Sequence, residues 1–400
     1  MQRPVRSAAT ALMATLLCWA ALAACTGQSV PEDVGPVATP VTPMPKGHGI
    51  GRVPVAWTDA TRTEHATASG RRELRGLLYY PAAQAVADGG RALDAAWADA
   101  YRPSLVRRIG PRAADAVLQM RWHAGAGIAA AEGRFPVLVF AHGYHQLPTS
   151  YTTLIESLVA RGYAVFAIAA PGIAEVVPLG DGRIAPNLPL GDDGYSKFAQ
   201  DIASAVAELP KLDATPGHPF SGHLDSGRIG VFGHSVGGAA AVLASARVPA
   251  IRAAANLDGD YSGDAAEAQP RVPLLYITTQ PPNRAATPKS GWDDERNEVR
   301  RAGIWRQLAV ASPRALRVRV GGMFHANFQD EALLPASAIP QELRGTRFGS
   351  IDGVRGLELT SRLLAGFFAG SLGGPAAEEV DKVVAAYPEA DLQVSGSASR

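Results

Sequence analysis

A serine with glycine two residues to either side, in Gly233-His234-Ser235-Val236-Gly237-Gly238, is the residue set in this chain most suited to acyl transfer. A hydroxyl is a weak nucleophile at neutral pH, so the chemistry needs a histidine to take its proton and an acid to fix and stabilise that histidine. The apolar stretch Arg228 to Phe232 precedes the serine, and the small-residue run Ala239-Ala240-Ala241-Val242-Leu243 follows it. A strand, a sharp turn and a helix in that order would hold Ser235 in a strained conformation. They would also lift its hydroxyl above a sheet edge and aim the next N–H at the same point. The competing reading, an ordinary loop serine, leaves the flanking strand and helix patterns unused.

The partners follow in chain order. Asp258, Asp260 and Asp264 come after the apolar run Ile251 to Leu257, but only Asp258 directly ends it, at the sheet edge that would present Ser235. Asp260 and Asp264 suit capping or solvating the following turn. Of nine histidines, His325 alone follows the last apolar strand, Leu316 to Val320, and is the expected general base. The order Ser, Asp, His is the one an α/β-hydrolase uses. A developing oxyanion needs two preorganised donors, expected from the N–H of Val236 and the N–H of Tyr144 in the loop after Phe140. His142 and His145 share that loop without a carboxylate or cysteine at ligand spacing, so neither a metal nor a cofactor is expected. His142 is expected to brace the loop and His234 to pack beside the serine turn.

The elements that must position these groups read as alternating strands and helices. Val53 to Asp59 and Glu73 to Pro81 open as antiparallel strands, and Pro136 to Phe140, Tyr163 to Ala169, Ile251 to Asp258 and Val272 to Thr279 continue as apolar strands. Helical spacing covers Thr152 to Arg161, Tyr195 to Leu209, Asp293 to Ala311 with Trp305 on its apolar side, and Leu357 to Phe368. This alternation predicts a mostly parallel central sheet with helices on both faces, an α/β-hydrolase fold over residues 52–370. An insertion at about 82–132, with helices over Leu93 to Tyr101 and Pro103 to Met120, either borders the pocket or decorates the surface. Gly125-Ala126-Gly127-Ile128-Ala129-Ala130 matches a dinucleotide fingerprint only superficially, because no strand precedes it. Ile173 to Gly194 reads as a loop at the pocket mouth. Residues 371–400 read as a polar tail with at most one short helix near Val380 to Ala386.

With 400 residues and 47% apolar content the chain can bury a full core, and 38 basic against 37 acidic residues give no reason to expect a nucleic-acid partner. The arginines of Arg314 to Val320 alternate with apolar residues, as on one wet face of a strand. Both cysteines, Cys18 and Cys25, fall in the first 25 residues, so no disulfide can staple the folded part. Arg3 and Arg6 precede an apolar run from Ala8 to Ala24, which reads as a signal peptide over 1–24. Leu22-Ala23-Ala24-Cys25 resembles a bacterial lipobox, so a lipidated Cys25 and a Pro/Gly-rich tether are expected over 25–51. The expected location is outside the cytoplasm, lipid-anchored to the bacterial cell envelope, with simple secretion as the alternative. The expected partners are the membrane, through that anchor, and a small-molecule or lipid ester.

Phe140-Ala141-His142-Gly143-Tyr144, Gly233 to Gly238, Leu257-Asp258 and His325-Ala326-Asn327-Phe328-Gln329-Asp330 together resemble the platelet-activating factor acetylhydrolase group of α/β-hydrolases. The resemblance runs loosely over Val53 to Phe368, and its distinctive element is the His-x-Asn-Phe-x-Asp run. It implies Ser235, Asp258 and His325 as a triad, with Tyr144 and Val236 as oxyanion donors. The implied activity is calcium-independent hydrolysis of short or oxidised acyl chains from phospholipids, or of other short esters. Gly259-Asp260 stands where the group places a bulky aromatic soon after the acid, and the insertion before Pro136 differs; both would reshape an acyl pocket. The same triad would serve a polyester or a bulky plant-type ester. Dienelactone hydrolases share the fold with a cysteine nucleophile, against which Ser235 argues. A catalytically silent envelope binding protein would lack a triad member, and all three are present.

Overall fold

Ten strands hydrogen-bond into one sheet, and its middle is built from the apolar runs. The computed structural model describes residues 46–64, 69–279 and 294–395. In chain order the strands are β1 (Gly49–Thr63), β2 (Arg71–Ala82), β3 (Gly125–Ala126), β4 (Phe135–Ala141), β5 (Ala164–Ala169), β6 (Val176–Pro178), β7 (Ile184–Pro186), β8 (Leu224–His234), β9 (Ile251–Leu257), β10 (Leu274–Thr279), β11 (Ala315–Val320) and β12 (Ala390–Ser395). The sheet order is β12-β11-β10-β9-β8-β4-β5-β2-β1-β3, with β6 and β7 paired separately as a hairpin. From β5 through β11 all neighbours are parallel. β2 pairs antiparallel with β5 and with β1, and β12 antiparallel with β11. This is the α/β architecture expected, with antiparallel strands on the flanks of a parallel middle.

The parallel strands are buried on both faces, which is why β4 reads as an unbroken apolar run. Alternation still operates inside it. Val137 and Val139 face a cluster formed with α4 (Gly194–Ala214) and α5 (Val236–Arg247), while Leu138 and Phe140 face one formed with α3 (Thr152–Ala160) and α8 (Gly353–Leu372). Trp305 and Leu308 of α6 (Asp294–Ala311) join the first cluster, and Val380 and Val383 of α9 (Val380–Ala386) the second. No described helix is long and apolar enough to cross a membrane.

Several boundaries differ from expectation for local reasons. The insertion's two helices are α1 (Ala95–Ile109) and α2 (Pro111–Gln119), so Pro103 lies inside α1. The break falls instead at Gly110, whose φ of 83° suits glycine, followed by Pro111 at the first helical position. Asp94 caps α1 by accepting from Trp97 N–H at 2.8 Å. The tether gives way to strand by Gly49, not Gly51, and residues 1–45, with the signal, Cys25 and the rest of the tether, lie outside the described residues. The loop expected at the pocket mouth, Ile173 to Gly194, contains the β6–β7 hairpin. The polar tail is corrected most: α8 runs to Leu372, α9 lies where a short helix was allowed, and β12 pairs in register with β11 from Val320–Ala390 to Ala315–Ser395. A six-residue edge strand with only one apolar stripe carries too little periodic signal to read from sequence. Arg317, expected on a wet face, is 5% exposed with its guanidinium 5.8 Å from the Tyr276 ring centroid.

One buried charge group ties the flanking hairpin to the helical layer. Asp201 of α4 is fully buried and accepts from Arg62 of β1 at 2.6 Å and from Arg72 of β2 at 2.6 Å. Arg72 also donates to Pro171 O at 2.9 Å. Removing the carboxylate leaves Arg62 with Asp59 and Arg72 with Glu64 and Pro171 O, so the loss should lie near the lower end of the about 3–5 kcal/mol that breaking such a buried group costs. Asp201→Ala is expected to lose about that much stability in urea unfolding, and a loss below about 1 kcal/mol would show that the cluster does not hold the hairpin.

Candidate active site

Ser235 lies between β8 and α5 with φ 58° and ψ −128°, a left-handed value that a non-glycine residue adopts only when its surroundings impose it. Those surroundings are backbone. Ser235 N–H donates to Leu257 O at 2.9 Å, and its carbonyl accepts from Gly238 and Ala239 N–H at 3.0 and 3.2 Å. A Cβ on Gly237 would sit 2.3 Å from Ala141 O and 2.4 Å from His142 O. Only glycine there lets the start of α5 lie against the loop after β4 that carries Tyr144. Val236 N–H, at the first turn of α5, has no intrahelical acceptor. Tyr144 N–H has no partner among the described residues.

Asp258 takes φ 52° at the end of β9 and is 3% exposed. Its carboxylate is fully engaged: Oδ2 lies 2.7 Å from His325 Nδ1 and accepts the Thr279 hydroxyl at 2.8 Å, while Oδ1 accepts Thr279 N–H at 3.0 Å. Arg301 of α6 lies 3.8 Å from Oδ1. Burial alone would raise this carboxyl, but the His325 contact, the Arg301 charge and the Thr279 N–H outweigh it and hold the value down to about 2. The turn is held from below by Asn256, whose Oδ1 accepts Gly259 N–H at 2.7 Å and whose Nδ2 donates to Gly259 O at 3.0 Å. A Cβ on Gly259 would meet Ser235 O at 2.2 Å, which explains a glycine where an aromatic was looked for. The next aromatic, Tyr261, is buried edge-on to Tyr276 at 5.5 Å. Asp260 turns away to Arg300, and Asp264 to Ser196 and Arg247.

His325 begins a short 3-10 turn, His325–Phe328, and is about half exposed. The rest of its run is scaffold. Asn327 Oδ1 accepts from Phe324 N–H at 2.8 Å and Gly349 N–H at 2.9 Å, and Phe328 packs 5.3 Å from the His234 ring. Asp330, buried, accepts from Thr152 and Thr153 N–H at 2.6 and 3.1 Å, capping α3. Asn327 and Asp330 thus clip the histidine loop to α3 and to the chain at Gly349, while Phe328 seats it against His234.

Two neighbouring histidines are kept neutral by burial. His142 is buried, its Nδ1 2.8 Å from Gly143 O and its Nε2 accepting Ala170 N–H at 3.3 Å; burial drives it down to about 4. It braces the loop as expected. His234, buried with Nδ1 2.8 Å from the Tyr151 hydroxyl, is pushed well below the ordinary range by burial and by the neighbouring His325. His145 points to Glu175, 2.6 Å away, so it does not converge with His142. No three His, Cys, Asp or Glu side chains converge among the described residues. Sequence reasoning missed Thr279, Asn256 and Tyr151. Thr279 was within reach, since it ends the strand beside Asp258; the other two carry no local signal.

Ser235 and His325 line one open cleft of about 260 Å³ with Gly143, Tyr144, Gln146 and Arg347. The arrangement offers a hydroxyl, an imidazole fixed at Nδ1 by a buried carboxylate, and two backbone donors, which together suit acyl transfer. No family model matches the sequence, and no curated protein matches it. Among solved structures, a ferulic acid esterase from Streptomyces cinnamoneus is similar, with a TM-score of 0.64 and 25% identity over 90% of this chain and 100% of that one. The likeness supports an esterase of the α/β-hydrolase type and carboxylic ester hydrolysis in general.

The depressed Asp258 carboxyl has a signed consequence. Against an ordinary value of 3.8, a folded value of about 2 means that the folded chain binds this proton more weakly. The group therefore stabilises the fold above about pH 4, and that contribution, about 2 kcal/mol, is lost as pH falls through about 2. The stability gap between wild type and Asp258→Asn is expected to shrink over that window in acid titrations, and a gap independent of pH would overturn the assignment.

Proposed function

We propose that the protein is a serine esterase in which Ser235 forms an acyl-enzyme. Ser235 Oγ attacks the ester carbonyl while His325 Nε2 takes its proton. Asp258 holds the opposite ring nitrogen and stabilises the imidazolium, and the N–H groups of Val236 and Tyr144 receive the developing oxyanion. His325 then protonates the departing alcohol, and water released onto the acyl-enzyme by the same base completes hydrolysis. The observation that carries this reading is the 2.7 Å contact between the buried Asp258 carboxylate and His325 Nδ1, beside a serine held at positive φ.

The substrate proposed first is a short-chain ester, including short or oxidised acyl chains of phospholipids, in keeping with the acetylhydrolase-like blocks. A second reading, a bulkier aromatic-acid ester, is favoured by the likeness to the ferulic acid esterase. Turnover of 4-nitrophenyl esters of rising chain length, measured beside a short-acyl phospholipid and methyl ferulate, separates the two. We further propose export and lipidation at Cys25. Cys25→Ser should move the protein from the membrane pellet to the soluble fraction, and unchanged sedimentation would remove the anchor from the proposal.

The acid is tested by two neighbouring variants. Asp258→Asn should reduce kcat by about 10⁴, or about 5.5 kcal/mol of barrier, as expected when the base loses its orienting carboxylate. Asp260, held by Arg300 and sharing Arg301 with Asp258, makes no contact with His325, and Asp260→Asn should cost no more than about tenfold. With melting temperatures matched, the reverse pattern would reassign the acid.

A further inference from the structure

Arg347, the last residue of α7 (Gln341–Arg347), is the one permanently charged side chain lining the Ser235 cleft among the described residues. Its Nε and Nη2 donate to Glu331 Oε2 at 3.2 and 2.6 Å, and Nη2 also reaches Gln329 Oε1 at 3.2 Å. Nη1 has no protein acceptor among the described residues, and the side chain is 21% exposed. The fork is therefore fixed along one edge and open along the other.

The charge is not cancelled by its support. Glu331 is 2% exposed and shared, since Arg108 of α1 donates to its other oxygen, Oε1, at 3.0 Å. Burial would raise the Glu331 carboxyl, but the two guanidiniums outweigh it and keep it ionised. Two guanidiniums on one carboxylate leave one positive charge over. Arg108 is turned inward, donating to the Tyr101 hydroxyl at 2.6 Å, so the surplus is presented to the cleft by Arg347. Apart from Ser235, His234 and His325, the other polar side chains there, Tyr144, Gln146, Gln329 and Thr346, carry no formal charge, and no carboxylate lines the cleft among the described residues.

We infer that Arg347 determines specificity, selecting esters that carry an anionic substituent, a carboxylate or a phosphate, which its open Nη1 edge binds while Ser235 attacks. This deepens the esterase reading above and rests on it. A guanidinium whose orientation is set before substrate arrives loses little entropy on binding, so the contact should act mainly through KM.

The test compares matched pairs with the full chain: 4-nitrophenyl butyrate against mono-4-nitrophenyl glutarate, and dibutyrylglycerol against dibutyryl phosphatidate. The wild type should favour the anionic member of at least one pair by about tenfold or more in kcat/KM, the scale of one charge-assisted hydrogen bond, and which pair responds identifies carboxylate or phosphate. The preference should weaken as ionic strength rises from about 0.05 to about 0.5 M. Arg347→Gln should remove the preference through KM, and Arg347→Lys should keep part of it. A wild type that favours the neutral member of both pairs, or shows no preference, overturns the inference whatever the variants do. So does a preference that survives in folded Arg347→Gln; should that variant not fold, a preference undiminished in Arg347→Lys and insensitive to salt overturns it equally. Hydrolysis of the neutral esters without an anionic preference defeats this inference alone, whereas no turnover of any of the four defeats the esterase reading with it.

Discussion

Backbone packed against backbone beneath Ser235 is the constraint on which the rest depends. The serine can hold φ 58° only because Leu257 O receives its N–H and because α5 lies hard against the carbonyls of Ala141 and His142. That approach needs Gly237, and the return of the chain past Ser235 O needs Gly259. A left-handed serine costs of order 1–3 kcal/mol, and it persists because three neighbouring strands fix both ends of the turn. The same packing places the two candidate oxyanion donors, since the loop bearing Tyr144 is the one α5 presses upon. The positions of the candidate nucleophile and of the candidate oxyanion donors are therefore consequences of one close contact.

Electrostatics then separates four neighbouring imidazoles by burial. His142 and His234 are enclosed, and the energy of charging them away from water keeps both neutral. His145 has a carboxylate of its own in Glu175. His325 alone combines solvent access with a buried carboxylate on one nitrogen, which leaves the other facing the cleft with Ser235. Thr279 and Asn256 make that asymmetry possible, by saturating Asp258 and by holding the turn that aims it.

What could be read from the sequence was what a single periodic pattern or a single crowded turn dictates. The parallel middle of the sheet was legible because strands buried on both faces must be continuously apolar, and the strand-serine-helix order followed from the glycines around Ser235. The strand end at Leu257 singled out Asp258 over Asp260, two residues away. What stayed hidden depends on contacts distant in sequence. β12 is recognisable only beside β11, the break between α1 and α2 was misplaced because Pro103 is a more obvious punctuation than Gly110, and Arg317 looked wet until Tyr276 was seen beneath it. The meaning of Asn327, Phe328 and Asp330 was likewise out of reach, because their partners are Gly349, His234 and the start of α3.

This division has a physical consequence for how such a chain can change its substrate. Of the proposed reacting groups, Ser235 and Asp258 follow the ends of β8 and β9, where sheet register fixes the backbone, and His325 lies beyond β11 in the loop that Asn327 and Asp330 clip. Much of the cleft wall comes from segments outside that register: the loop after β4 with Tyr144 and Gln146, Gln329, and α7 with Thr346 and Arg347, the last braced through Glu331 by Arg108 of α1. Substitution in the wall alters what is bound without disturbing the turn at Ser235, whereas substitution near the turn meets backbone at little more than 2 Å. The architecture is similar to that of a ferulic acid esterase at 25% identity, and a wall outside the sheet register is the part that can change around it. The buried Glu331 anchors that wall: Arg108 alone balances its charge, so Arg347, held on its other oxygen, stands at the edge of the cleft as a surplus cation that substitution could remove.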